Sequence, residues 1–508
     1  MRIRYAVFAA LLPLAVKAQQ PLTAIDWLGE NNPQIRSGPV LLEPPVTETA
    51  LRPKVDVQPL TGSAPPIGLV PSHVTGLPVD LWRGSDPADL TKLIATVPVR
   101  RSPAMQTLLY TLLLSETRPP ATSDNDDDLL LARLDRLMQL GAIDAAQSLA
   151  EVAGPTASAA LFERWFDATL LTGDEEKSCA ALIGAPGLSD DYRARIFCGV
   201  RAGDWETAAL TLEVAHALDI LPPDDMAVLD RFLSPDVFEG APPLPVPHDP
   251  DPLTFRLFET IGENLPTAPL PRMFATADLR DLAGWKAQVE AAERLARIGA
   301  LPPNRLLGLY TARRAAASGG VWDRITALQR FETALDQQSP VAVAKTLPAV
   351  WAGMQSAGLE VTFADLFAGS LSAADLAGTG TELTAWHVRL LSADYEAAAV
   401  SPVDQTPRSR FLAALALGDP SPVSAPDNTA RAISDGFSSD YPLPDRVSAA
   451  LARGGLGEAI LLAMHAFDLG ARGNPRDLSG ALATFRRLGL EDTARRAALQ
   501  LMLLDRRG

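Results

Sequence analysis

Three stretches decide the architecture: GAIDAAQSLAEVA at 141–153, GDEEKSCAALIGA at 173–185 and GDWETAALTLEVA at 203–215. Their opening glycines stand 32 and 30 residues apart, and the segments can be laid on one another from those glycines onward. The second residue after each glycine is Ile143, Glu175 or Trp205; the fifth is Ala146, Ser178 or Ala208; the twelfth is Ala153, Ala185 or Ala215. Small residues thus recur where one helix must approach another closely. Upstream of each glycine lies a partner segment with apolar residues on one helical face: Leu130, Leu134 and Leu137, then Phe162 and Phe166, then Tyr192 and Ile196. A glycine between two such segments marks a tight helical hairpin, because it can enter the left-handed conformation that ends one helix and starts the next. Fixed-period hairpins are the signature of a stacked repeat.

The spacing resembles the second half of a tetratricopeptide repeat, over roughly 90 residues and with a period a little below the usual figure of about 34. The resemblance implies an all-α, TPR-like α-solenoid. Composition agrees: hydrophobic content is 47 %, Ala and Leu dominate, and β-branched residues are sparse, which favours helix over strand. The chain's only two cysteines, Cys179 and Cys198, fall on the second helix of the middle repeat and the first helix of the next. Those helices are neighbours in a right-handed solenoid, so a disulfide is expected; two buried thiols serving as small apolar residues are the alternative. The count and spacing exclude a CxxC redox motif and a cysteine zinc site.

The first residues, MRIRYAVFAALLPLAVKAQQ, have a basic start, a short apolar run and a small-x-small cleavage pattern at Val16-Lys17-Ala18. Residues 1–18 are therefore expected to be a signal peptide, the protein to be periplasmic or secreted, and the chain to carry no transmembrane anchor after cleavage. An exported location permits the disulfide. Residues 19–75 are expected to hold a short amphipathic tip around Ile25, Trp27 and Leu28, followed by a disordered, Pro-rich tether. The tip is a candidate partner-docking peptide, or else lies back on its own domain. Helical repeats are expected over 76–234, a Pro-rich connector over 235–252, a second helical block over 253–418, a linker over 419–445 and C-terminal hairpins over 446–508. In the last block Gly454, Leu456, Ala459, Ala463 and Ala466 reproduce the earlier spacing.

The formal charge of −16 repels nucleic acid and anionic headgroups, so neither is an expected partner. The five histidines, His73, His216, His248, His387 and His465, are scattered, and no pair has zincin spacing. No nucleophile elbow, Walker loop or dinucleotide fingerprint occurs, and no cofactor or metal is expected. Asp124, Asp126 and Asp128 imitate the opening of a calcium loop, with Asp135 at the twelfth position. Leu129 occupies the place where that loop needs glycine, which makes an acidic helix start the better reading. The stretch NRLLGLYTARRAAASGGVWDR at 304–324 gathers Arg305, Tyr310, Arg313, Arg314, Trp322, Asp323 and Arg324 around a Gly-Gly turn. In so acidic a chain, arginines among aromatics make a candidate contact site for a carboxylate, a sugar or a partner chain, against the plainer alternative of a solvated helix face with a buried Trp.

The segments PLTAIDWLGE (21–30), NLPTAPLPRMFATADLRDLAGWKAQ (264–288) and LPPNRLLGLYTARRAAASGGVWDR (301–324) resemble a family of secreted alphaproteobacterial proteins. Its members are sometimes labelled antifreeze glycopeptide polyprotein. That label requires tandem Ala-Ala-Thr units, which this sequence lacks, and the resemblance implies no activity or active-site residue. The expected function is a non-enzymatic periplasmic scaffold or adaptor binding another cell-envelope protein, as stacked repeats commonly do. The alternative is an envelope enzyme or a peptidoglycan- or sugar-binding module, similar in architecture to the superhelical part of soluble lytic transglycosylases.

Overall fold

The computed structural model describes residues 65–123, 127–280 and 282–504, all within one compact unit. The expected signal, the tip residues Ile25, Trp27 and Leu28, and the tether as far as residue 64 lie outside the described residues.

The fold is all-α. Among the described residues the only β-pairing is two isolated bridges, Ile67 with Thr117 and Val70 with Ser115. Helices run in chain order as α1 (Ser72–Thr75), α2 (Pro87–Thr96), α3 (Pro103–Leu114), α4 (Asp127–Leu140), α5 (Ile143–Ala153), α6 (Ala159–Thr172), α7 (Glu175–Gly184), α8 (Tyr192–Arg201) and α9 (Trp205–Ala217). They continue as α10 (Pro223–Leu233), α11 (Pro252–Thr260), α12 (Trp285–Ala296), α13 (Pro303–Thr311), α14 (Val321–Asp336), α15 (Pro340–Ala357) and α16 (Glu360–Ala373). The series ends with α17 (Glu382–Leu391), α18 (Tyr395–Ala399), α19 (Pro407–Ala416), α20 (Asn428–Gly436), α21 (Asp445–Ala452), α22 (Leu456–Ala471), α23 (Pro475–Arg487) and α24 (Glu491–Leu503). A 3-10 helix, Arg272–Leu279, lies between α11 and α12.

Sequential helices pack as hairpins, as in an α-solenoid. The three repeats read from the sequence are α4/α5, α6/α7 and α8/α9. Gly141, Gly173 and Gly203 all have φ between +83° and +91°, and in each case the next residue donates to the carbonyl five positions back: Ala142 to Leu137, Asp174 to Thr169 and Asp204 to Gly199, each at 2.9 Å. This bond satisfies a carbonyl that the helix end would otherwise leave open. At the fifth position Ala146, Ser178 and Ala208 are buried, as close helix approach requires. The twelfth position behaves differently: Ala215 is buried, Ala153 half-buried and Ala185 exposed. The reason for the last is length, since α7 stops at Gly184 and leaves Ala185 outside the hairpin.

Cys179 on α7 and Cys198 on α8 are joined by a disulfide, with Cα atoms 4.8 Å apart. Both are buried, so the bond links two successive hairpins from inside.

Three expected boundaries shift. The tether ends before residue 75, because Ile67–Val70 pair with Ser115–Thr117 and the buried guanidinium of Arg133 donates to the carbonyls of Ile67, Leu113 and Ser115 at 2.7–2.9 Å. The connector 235–252 does not separate two bodies: α11 turns back onto α6 and α8, where Arg256 reaches the buried Glu175 at 2.7 Å. The linker 419–445 contains α20, whose Ala430, Ala432 and Ile433 are buried against α23.

The last block also closes on the first. Helix α22 packs against α2, and α24 against α3, α17 and α19. Gly457 donates its N–H to the Leu81 carbonyl at 2.9 Å, and the buried Gln500 side chain accepts from the Ala104 N–H at 2.8 Å across 396 residues. A Cβ on Gly457 would stand 2.3 Å from the Trp82 ring, so glycine is what lets the two blocks touch.

Replacing both cysteines by alanine should destabilise the oxidised protein by about 3 kcal/mol, the loop-closure value for this separation, and reduction of the parent protein should produce a similar shift in urea denaturation. Gly457→Ala should cost about 2 kcal/mol through overpacking, read as a lower urea midpoint with unchanged slope.

Candidate functional site

The arginine-aromatic stretch 304–324 is divided by the fold. Tyr310 on α13 is buried and donates its hydroxyl to Glu293 Oε1 at 2.6 Å. Arg324 on α14 grips the same carboxylate with both arms, Nε to Oε1 at 2.9 Å and Nη2 to Oε2 at 2.6 Å. Glu293, on α12, is only 3 % exposed. Burial and then the adjacent Glu293 charge push the Tyr310 hydroxyl well above the ordinary tyrosine range. Trp322 packs on Trp285 with ring centroids 5.1 Å apart, and Trp285 Nε1 donates to the Leu309 carbonyl. These side chains therefore lock α12, α13 and α14 together.

The remaining candidates stay outside. Arg305 is 3.6 Å from Asp144 in an exposed pair, and Asp323 accepts from the Gly319 N–H at 3.0 Å, holding the Gly-Gly turn. Arg313 and Arg314 are exposed on the turn after α13. The expectation of seven side chains converging on one contact surface is thus corrected: Tyr310 and Arg324 are turned inward by a carboxylate outside the stretch, and Trp322 by the Trp285 ring. The acidic start at Asp127 and Asp128 occupies the first turn of α4, and Asp135 pairs with Arg164 at 3.1 Å. Among the described residues no group of His, Cys, Asp and Glu is arranged to hold a metal ion, and no helix is long and apolar enough to cross a membrane.

The surface feature that the sequence reading missed is α9, the last helix of the repeat series. Its inward face carries Ala208, Leu212 and Ala215, all buried. Its opposite face carries Leu210, Val214 and Leu218, spaced four residues apart, with Leu210 61 % and Leu218 66 % exposed. A helix that is apolar on both sides is normally covered on both. The signal was present in GDWETAALTLEVAHAL as two interleaved apolar stripes, but alignment to the earlier repeats draws the eye to one of them. A second concentration of side chains, arginines at 100, 101, 136, 272 and 472, is scattered along the sequence and collects only in the folded chain.

Comparison with protein-family models, with curated proteins and with solved structures returned no match.

The division of the 304–324 stretch gives distinct expectations. Arg324→Ala should cost about 3 kcal/mol by leaving Glu293 buried with one partner fewer, and Tyr310→Phe about 1 kcal/mol. Arg313→Ala and Arg314→Ala should stay within about 0.5 kcal/mol of the parent. Equilibrium urea denaturation of the four variants checks the order.

Proposed function

We propose that the protein is an exported, non-enzymatic adaptor of the periplasm, a helical-repeat scaffold that binds another cell-envelope protein. The observation that carries this reading is the outward apolar face of α9, with Leu210, Val214 and Leu218 in a row on the terminal hairpin of the repeats. A row at i, i+4 and i+8 suits an apolar helix or strand of a partner laid along it. The disulfide supports an oxidising compartment, and hairpin stacking supplies a rigid platform on which such a face is held. The chain's formal charge of −16 disfavours nucleic acid and anionic lipid as occupants.

The test is site-specific photo-crosslinking in intact cells. A photoreactive residue at Leu210 or Leu218 should yield one discrete protein adduct, absent when the probe is placed at exposed Arg431, and Val214→Asp should reduce the Leu218 adduct at least tenfold. Identical adduct patterns from all three positions, or retention of the purified protein on peptidoglycan with no protein adduct, would sink the adaptor reading.

A further inference from the structure

Where the C-terminal helices close on the first ones, the protein holds a cavity of about 830 Å³. Its walls come from distant parts of the chain: Arg100 and Arg101 from the link between α2 and α3, Arg136 from α4, Arg272 from the 3-10 helix, and Asp468 with Arg472 from α22. Five guanidinium groups thus face one space in a chain whose formal charge is −16. The single carboxylate there, Asp468, is already engaged by Arg472 at 2.6 Å.

The donors in this cluster are incompletely used. Arg136 spends its terminal nitrogens on the carbonyls of Ala95 and Val97 and on the Gln139 side chain, yet its Nε is buried without a partner. Arg272 Nε is likewise buried and unpartnered, and Arg272 makes no ion pair among the described residues. Its charged neighbours are Arg294, Arg100 and Arg297, together with the Tyr110 hydroxyl. Tyr110, only 9 % exposed, lies near both Arg136 and Arg272, and its hydroxyl is also buried without a partner. Burial and then the Arg294 charge hold Arg272 below the ordinary arginine range. Clustered cations that outnumber the one carboxylate among them oppose folding, and such perturbed groups gather at functional sites.

A second cavity, of about 660 Å³, shares Pro98, Arg101, Asp468 and Arg472 with the first and is walled by Met105, Phe467, Leu501 and Leu504. The combined space therefore offers a cationic chamber beside a mixed one, whose apolar wall of Met105, Phe467, Leu501 and Leu504 is joined by Asp427 and Gln500.

We propose that this cleft is a binding site for a small organic phosphate monoester, with the phosphate between the Arg100 and Arg272 guanidinium groups and the carbon skeleton against Met105, Phe467 and Leu501. Arg100 and Arg272 line the cleft as charged neighbours, and guanidinium forks suit the oxygens of such a group. The site is remote in sequence from the α9 face and stands whether or not that face binds a partner.

Calorimetric titration of the full chain with hexyl phosphate, inorganic phosphate, hexanoate and hexanol tests the assignment. Hexyl phosphate should bind saturably at one site, at least tenfold tighter than inorganic phosphate or hexanoate, and hexanol should give no saturable heat. Arg272→Gln should weaken hexyl phosphate at least tenfold while the melting temperature of the ligand-free protein stays level or rises, because a like charge has been removed. Leu501→Gln should erase the preference for hexyl phosphate over inorganic phosphate. Absence of saturable binding by both phosphates, unchanged affinity in Arg272→Gln, or a lowered melting temperature of ligand-free Arg272→Gln would overturn the site. Hexanoate binding as tightly as hexyl phosphate would overturn the choice of phosphate, and equal affinity for hexyl and inorganic phosphate would overturn the role of the apolar wall.

Discussion

A buried carboxylate near the end of the chain anchors the closure of the fold. Glu491, at the first turn of α24, is 1 % exposed and receives Arg486 Nε and Arg495 Nε, each at 2.8 Å. Arg495, itself fully buried, continues to Glu396 at 2.6 Å. A charge taken this far from water is tolerated only with its partners in place; removing one partner of such a pair costs about 3–5 kcal/mol. The network therefore fixes α24 in a single position, and from there α24 touches α3, α17, α19 and α23. First and last thirds of the chain meet on one helix, so a solenoid that would otherwise remain open is drawn together at its ends.

The parts of this fold that were legible in the sequence are the local ones. Gly141, Gly173 and Gly203 announce their hairpins because a positive φ is a property of a single residue, and the cysteine pair is readable because its two helices are consecutive. Proline was harder to read. Pro-rich stretches suggested connectors, yet Pro87, Pro103, Pro223, Pro252, Pro303, Pro340, Pro407 and Pro475 each stand at the first turn of a helix, where the missing N–H is no loss and the fixed φ is an advantage. Pro252 shows the confusion plainly: it closes the supposed connector, but with Asp251 as a capping side chain it opens α11. Composition cannot separate a proline that starts a helix from one that keeps helices apart.

Long-range pairing left still less trace. Nothing in GGLGEAILLA predicts that Gly457 must admit the Trp82 ring, or that Gln500 will receive the Ala104 N–H. The 304–324 stretch illustrates the same limit at shorter range. Its arginines and aromatics were conspicuous, but Glu293, the carboxylate that decides the role of Tyr310 and Arg324, lies on the preceding helix, and a charge without its counter-charge looks like a surface contact.

A second set of arginines acts on backbone carbonyls rather than on carboxylates. Arg133 donates to three carbonyls, Arg294 to those of Thr267 and Leu270, Arg297 to that of Ala357 and Arg408 to that of Met502. Each ties a loop or a helix end to another element, and the last carbonyls of a helix carry the partial negative charge that favours a cation there. These guanidinium groups are held by backbone dipoles, whereas Arg324, Arg486 and Arg495 are held by buried carboxylates. Closing the ends of the solenoid then brings Arg136, bound in the same way to the carbonyls of Ala95 and Val97, beside Arg100, Arg101, Arg272 and Arg472. The cleft between α4, the 3-10 helix and α22 is what that geometry produces: cations from distant parts of the chain gathered around one space with a single carboxylate, Asp468, among them.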